Sequence, residues 1–185
     1  MGNRTHSARN SGAHRSAEAA DQRASVRLDE AGSGAKNALT PNFEDTTMNT
    51  IKDTAARFFE ACETGQGWEV CAQYCHPDAS FTCQADALAE VTALESYVEW
   101  VKGLQGPIPD GGYEIQSFAV DEERGNVAAC SVFSGTHSGE GGPVPATGMR
   151  AATDYVYLMQ FDEGLIRHMT KIWNDGFALR QLGWA

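Results

Sequence analysis

The pattern of apolar residues changes once along this chain, and this change constrains the fold more than any other feature. Up to about residue 104 the apolar side chains recur at helical spacing, whereas after the Gly- and Pro-rich stretch at 106–112 they form β-branched and aromatic runs. The first part predicts three helices, at about 50–64, 67–75 and 87–104, and a short strand at about 79–84. The second part predicts four strands and a final helix, at about 113–121, 126–139, 147–161, 165–174 and 176–182. This order indicates an α+β fold, with a mostly antiparallel sheet packed on three N-terminal helices.

The first 47 residues differ in composition from the rest. Of the 17 aromatic residues only Phe43 lies before Met48, and the segment is rich in Ala, Ser, Gly, Asn and Arg. Such a segment buries too little apolar surface to offset the entropy lost on ordering. We therefore predict a disordered extension at 1–47 and a folded domain at 48–185. Three interpretations of the extension stay open: a tail, a targeting segment, or a start site assigned upstream of the real one at Met48.

Charge and cysteine content exclude several classes of partner. Residues 48–185 hold 8 of the 14 basic and 19 of the 25 acidic side chains, so the net charge of −11 lies entirely there. An acidic surface repels phosphate, so we expect no nucleic acid partner, and no apolar stretch is long enough for a membrane span. Five cysteines without CxxC pairs indicate reduced thiols and a cytoplasmic location. Since His76, His137 and His168 lack metal-ligand spacing, neither a metal nor another cofactor is expected.

Three motifs occur in the same order as in a known family. Gly-Thr-His-Ser-Gly-Glu stands at 135–140 before a Pro-containing loop, Phe-Asp-Glu-Gly-Leu-Ile stands at 161–166, and Gln-Leu-Gly stands at 181–183. These motifs resemble those of the SnoaL-like polyketide cyclase family, and the resemblance covers about residues 50–184. It implies the cone-shaped, curved sheet of the nuclear-transport-factor-2-like superfamily, which also includes the ketosteroid isomerases. A shared fold does not by itself establish shared chemistry.

The predicted last strand has two distinct faces, because successive side chains point to opposite sides of a sheet. One face consists of Ile166, His168, Thr170, Ile172 and Asn174. The other face consists of Arg167, Met169, Lys171, Trp173 and Asp175. The two long cations of the second face indicate solvent or a subunit interface. We therefore expect His168 and Asn174 to point into the domain.

The orientation of the preceding strand depends on the length of the turn that joins it to the last one. A two-residue turn at 163–164 directs Tyr155 and Tyr157 inward, with Tyr157 opposite Thr170. A three-residue loop would reverse the faces and bring Asp154 inward instead. We base the predicted site on the two-residue turn.

The predicted site lies on these inward faces. Its catalytic residues are His168, whose unperturbed pKa of about 6.5 suits a proton acceptor, and Asn174, a hydrogen-bond donor. Its ligand-binding residues are Tyr155, Tyr157, Thr170 and Met159. The family resemblance implies an Asp near the end of the last strand, and counting back from 181–183 places Asn174 at that position. The alternative is that these polar groups satisfy one another in an ordinary core network.

Two functions are compatible with this site. The first is cyclisation or isomerisation by proton abstraction next to a carbonyl, with His168 as the base and the tyrosines as donors to the enolate oxygen. The second is a non-catalytic ligand-binding or dimerisation domain of the same fold. Under both, the expected ligand is a small hydrophobic or aromatic molecule. We also expect a homodimer through the sheet face that carries Met169 and Trp173, because Met and aromatic residues favour interfaces.

Overall fold

The computed structural model describes residues 43–185, with side chains from residue 51 onwards. The extension predicted to be disordered, 1–47, lies outside the described residues as far as residue 42. Helix α1 begins at Phe43, upstream of the predicted boundary at Met48. The elements in chain order are α1 Phe43–Glu63, α2 Trp68–Cys71, β1 Cys75–Cys83, α3 Leu94–Gly103, β2 Gly112–Asp121, β3 Asn126–Thr136, β4 Arg150–Asp162, β5 Leu165–Trp173 and α4 Asp175–Leu182. Within 43–185 no helix combines the length and hydropathy that a membrane span requires.

The sheet has five strands in the order β1-β5-β4-β3-β2. Strands β2 to β5 form an antiparallel meander, and β1 pairs with β5 in parallel at one edge. A parallel neighbour needs a long crossover, which the segment from α3 through β4 supplies. The α+β class and the mostly antiparallel sheet are therefore confirmed.

The core lies between one face of the sheet and helices α1 and α3. Phe58 and Phe59 of α1 and Tyr97 of α3 are fully buried, as are Met159 and Met169 of the facing strands. Each such side chain stabilises the fold by roughly 1.5–3 kcal/mol relative to its exposed state. In β4 buried and more exposed residues alternate strictly from residue 150 to 160, so no helix among the described residues covers the opposite sheet face.

The third predicted helix is shorter than its apolar pattern indicated. Residues 86–88 form a 3₁₀ turn, and α3 begins only at Leu94. The segment between them pairs with the edge of β1, where the Phe81 N–H donates to the Thr92 carbonyl at 2.8 Å. Pairing with a strand satisfies the backbone there as well as a helix would, so the prediction of a helix from residue 87 is wrong.

The hairpin between β4 and β5 sets the orientation of all later residues. Its turn has two residues, Glu163 and Gly164, which both have positive φ, as predicted for a tight hairpin. Beyond the turn, a β-bulge at Arg167 leaves this residue without a partner on β4. The register therefore shifts by one residue, and Tyr157 pairs with Lys171. The predicted pairing of Tyr157 with Thr170 is wrong for this reason.

Candidate functional site

A cavity of about 650 Å³ lies between α1, α3, the inner face of the sheet and α4. Much of its wall is aromatic. The aromatic side chains on the wall, apart from Tyr155, are those of Tyr97, Trp100, Tyr113, Phe133, Trp173 and Trp184. A cavity of this size with apolar walls is typical of a site for a small organic ligand.

Five polar side chains form a hydrogen-bonded cluster at this cavity, and we call them the Glu63–Lys171 cluster. The Tyr155 hydroxyl donates to Glu63 Oε2 at 2.8 Å, and the Tyr157 hydroxyl donates to Glu63 Oε1. The hydroxyl groups of Tyr97 and Tyr157 are hydrogen-bonded to each other. Lys171 Nζ donates to the Tyr97 hydroxyl oxygen at 2.9 Å. A continuous chain of hydrogen bonds thus joins the amine of Lys171 to the carboxylate of Glu63.

The tyrosines of this cluster remain protonated and act as donors. Burial raises the pKa of Tyr97, Tyr155 and Tyr157 well above the ordinary value, and the negative charge of Glu63 raises it further. Both effects disfavour a phenolate, since they penalise a second negative charge in a region with little water. The cluster therefore presents three neutral hydroxyl groups to a ligand or to one another.

Lys171 lies in an environment that opposes its charge. Its side chain is 92% buried, since only 8% of the residue surface is exposed, and burial lowers its pKa, while the charge of Glu63 acts in the opposite direction. Aromatic rings surround the amine, with Nζ 4.7 Å from the ring centroid of Trp173 and 5.0 Å from that of Tyr155. Such rings favour the ammonium by about 0.5–2 kcal/mol each at most, but they do not replace a full hydration shell.

Local sequence explains how the two ends of the cluster reach the cavity. Glu63 is the last residue of α1, and Gly65 follows with a φ of 67°, a conformation that ends helices. Lys171 is two residues from both Met169 and Trp173, so it shares the inner face of β5 with two large apolar residues. These two neighbours are the sequence signal for a buried Lys171, and our prediction missed it because we gave more weight to the charge of the lysine. For Glu63 no local signal distinguishes it from an exposed helix residue.

The motif that carries the family resemblance contacts one wall residue of this cavity, Trp184, through His137. His137 is fully buried, and its Nδ1 accepts hydrogen bonds from Trp184 Nε1 at 2.8 Å and from the Thr147 N–H at 3.3 Å. These donors assign the imidazole proton to Nε2. His137 thereby links the loop at 138–148 to the C-terminal Trp184, which forms part of the cavity wall.

Three predicted site residues lie on the inner face of β4. Tyr155 forms part of the cavity wall, and Tyr157 and Met159 are buried on the same face beside it. Their roles in ligand binding stay predictions. Asp154, which a longer turn would have directed inward, is exposed on the outer face.

His168 and Thr170 lie on the outer face of the sheet, so their predicted inward orientation is wrong. His168 Nδ1 lies 2.8 Å from Ser80 Oγ, and its Nε2 lies 3.2 Å from Thr82 Oγ1 and 3.1 Å from Thr170 Oγ1. The bulge at Arg167 is the physical reason, because it inverts every residue that follows it. The catalytic role predicted for His168 stays a prediction, and its position gives it no contact with the cavity.

Asn174 and the predicted interface residues also differ from expectation. Asn174 is exposed and caps helix α4, where its Oδ1 accepts a hydrogen bond from the Phe177 N–H at 3.0 Å. Its predicted catalytic role is untested, but a capping role accounts for this side chain. Met169 and Trp173 face the core and the cavity, so they do not form the outer surface that we predicted as an interface.

The five-stranded sheet packed on helices is the fold of the nuclear-transport-factor-2-like class. Within this class, the sequence profile of the SnoaL-like polyketide cyclases matches residues 53–182, and the chain belongs to that family. The resemblance inferred from the three motifs is thereby confirmed. Comparison with curated proteins found no significant match.

Several solved structures share the fold. IdmH of Streptomyces antibioticus, proposed to be a polyketide cyclase, is 26% identical, with a TM-score of 0.59 over 72% of this chain and 98% of its own. AclR of Streptomyces galilaeus, proposed to be a hydroxylase, is 21% identical, with a TM-score of 0.61 over 75% of this chain and 83% of its own. An epoxide hydrolase of M. tuberculosis, described as LEH-like, is 10% identical, with a TM-score of 0.52 over 72% and 90%. Because the described activities differ, the fold alone does not assign a reaction.

Proposed function

We propose that this protein binds a flat, mostly apolar carbonyl compound and transfers a proton from the carbon next to the carbonyl, as a cyclase or isomerase does. The observation that carries the proposal is the Glu63–Lys171 cluster. Its carboxylate, its amine and the tyrosines Tyr97 and Tyr155 belong to the wall of a largely aromatic cavity, and Tyr157 is buried beside them. Proton abstraction needs both a base and donors for the developing oxyanion, and this cluster contains both kinds of group.

Glu63 is the proton acceptor in this proposal. Its carboxylate lines the cavity and is anchored by Tyr155 and Tyr157, which occupy only part of its acceptor capacity. Lys171 donates to the carbonyl oxygen as it becomes an enolate, because its amine has N–H groups beyond the one that binds Tyr97. This donor acts where little water competes, so the hydrogen bond stabilises negative charge more than it would in solution.

Deuterium exchange into α-tetralone tests this reaction, because this flat bicyclic ketone carries exchangeable hydrogens next to its carbonyl. Glu63→Gln keeps an oxygen that accepts from tyrosine but removes the base, so we expect exchange to fall by on the order of 10²–10⁴-fold. Quenching of tryptophan fluorescence by the same ketone reports binding, since Trp100, Trp173 and Trp184 line the cavity. Glu60→Gln, at an exposed position on the same helix, is the matched control and leaves exchange unchanged.

A second candidate function is ligand binding without turnover. It is favoured by the hydrogen bonds that both oxygens of Glu63 already accept from buried tyrosines, because these bonds leave fewer lone pairs free to take a proton from a ligand. In that case α-tetralone quenches the tryptophan fluorescence, while exchange in the presence of the unaltered protein is no faster than in buffer. That result would replace the catalytic proposal with the binding one.

We also propose a homodimer through the outer face of the sheet. This face carries Val132, Val156, Leu158 and Ile172, and Ile172 is 62% exposed. Apolar residues on adjacent strands, at a face that none of the described helices covers, favour burial against a second copy. The cavity lies on the opposite side, so such a dimer leaves it accessible.

A further inference from the structure

Lys171 differs from the other lysine side chains that the structure describes. Lys52 and Lys102 are exposed, whereas Lys171 is 8% exposed and forms part of the cavity wall. A buried amine among aromatic rings loses the hydration that stabilises its charged form, and a neutral amine is a nucleophile. Lys171 is therefore a lysine whose neutral amine can react with a carbonyl compound, and it lies where a ligand would bind.

The hydrogen-bonded chain gives the proton of Lys171 a place to go. Lys171 donates to Tyr97, Tyr97 and Tyr157 share a hydrogen bond, and Tyr157 is bonded to Glu63. A shift of one proton along each link converts ammonium and carboxylate into neutral amine and carboxylic acid. Removing two separated charges from a region with little water lowers their desolvation cost.

We propose that Lys171 forms a covalent imine with a carbonyl group of the ligand, assisted by proton transfer through Tyr97 and Tyr157 to and from Glu63. The inference rests on the proposed function only in requiring that a carbonyl compound enters this cavity. It adds a nucleophile to a site that otherwise performs proton transfer alone.

The reaction balances with the groups present. The neutral amine of Lys171 adds to the carbonyl carbon, and the proton that nitrogen gives up moves to the carbonyl oxygen, which forms a carbinolamine. The carbon–oxygen bond then breaks, the protonated Glu63 supplies the second proton, and water leaves as the iminium forms. With a β-diketone the iminium loses a proton from the carbon between the carbonyl positions to the Glu63 carboxylate. The product is a neutral, conjugated enaminone, and Glu63 is protonated again.

The competing explanation is structural. In it, Lys171 stays an ammonium, held by the surrounding rings and by Tyr97, and never reacts. Both explanations predict that the side chain is buried, so stability measurements alone do not separate them. Covalent capture of a β-diketone does, because only a neutral amine forms an enaminone.

Benzoylacetone, an aryl β-diketone, is the probe for this capture. We expect the intact protein to gain the mass of one diketone less one water, together with near-ultraviolet absorbance of an enaminone. Peptide mapping is expected to place the added mass on Lys171, at least about tenfold in excess of the exposed Lys102, because only Lys171 of these two lines the cavity that holds the diketone near its amine. Lys171→Met removes the adduct, and Lys102→Met, at an exposed position, retains it.

Two further measurements make every outcome decisive. Glu63→Gln, which cannot exchange a proton, is expected to slow adduct formation by on the order of 10²-fold, whereas a lysine that only packs gives no such dependence.

If α-tetralone quenches tryptophan fluorescence but benzoylacetone leaves Lys171 unmodified, the covalent role is wrong and the proposed proton transfer is unaffected. If neither compound binds at millimolar concentration, the proposed function and this inference both fail. Should Lys171→Met not fold, protection of Lys171 from labelling by α-tetralone still assigns the adduct to the cavity.

Discussion

The inner and outer faces of the β4–β5 hairpin both carry a basic side chain with hydroxyl neighbours, but the two environments differ. On the outer face, His168 contacts Ser80, Thr82 and Thr170 at the parallel β1–β5 edge, outside the cavity. On the inner face, Lys171 is buried among aromatic rings and is linked through tyrosines to Glu63. Enclosure, more than residue type, therefore makes a side chain reactive, because burial lowers the pKa of Lys171 and the cavity wall includes its side chain.

The largest expected effect contrasts the bases of the two faces. Glu63→Gln is expected to lower α-tetralone exchange by on the order of 10²–10⁴-fold, whereas His168→Gln changes it by less than about twofold. The reason is that Glu63 lines the cavity and His168 does not. Mass spectrometry of the exchanged ketone measures both rates. A large loss in His168→Gln with retained folding would reverse the comparison and restore the role that the sequence predicted for His168.

The second effect concerns stability. Tyr97→Phe removes the hydroxyl that links Lys171 to Tyr157, both of which are buried, so we expect the free energy of unfolding to fall by about 1–3 kcal/mol. His168→Gln, which alters a network on the outer face, is expected to cost less than about 1 kcal/mol. Urea denaturation of the two variants checks the difference. Equal losses would mean that burial does not distinguish the two networks.

The third effect is a pH dependence of stability that arises from Lys171 on the inner face. Burial lowers the pKa of Lys171 below its ordinary value of 10.5, so the unfolded chain binds more protons than the folded one between the lowered pKa and 10.5. Stability relative to Lys171→Met therefore rises with pH in that window, by at most about 1.4 kcal/mol per pH unit, and is flat below it. Melting temperatures of both proteins from neutral pH to pH 10 measure the slope. A difference that does not change with pH would show that folding does not displace the pKa of Lys171.

The smallest effect on the folded subunit concerns the outer face alone. Ile172→Asp places a charge at a position that is 62% exposed, so a single subunit should lose no more than about 0.5 kcal/mol of stability. A dimer that buries this position would instead dissociate, because an unpaired charge at an interface is costly. Light scattering separates the two masses, and Arg167→Asp at the bulge provides an exposed control on the same strand. An unchanged mass for Ile172→Asp excludes this face as the interface.

Local pattern was sufficient for much of this protein. The period of the apolar residues determined the α+β class and the antiparallel meander, since it reports which side of each element is buried. The Glu163-Gly164 turn followed from the preference of tight hairpins for residues that adopt positive φ. The motif at 135–140 identified the family, and the alternation of β4 placed Tyr155 and Tyr157 on the inner face.

The site itself depended on contacts that no local pattern contains. The bulge at Arg167 arises from the pairing of β4 with β5. Because of this one unpaired residue, His168 points to the outer face and Lys171 points to the inner face. Glu63 meets Lys171 only because α1 ends at the cavity, far away in sequence from β5. Strand register and helix packing are decided by the sum of many weak contacts over the whole domain, so the sequence determined which elements form, and the tertiary structure decided which side chains share the cavity.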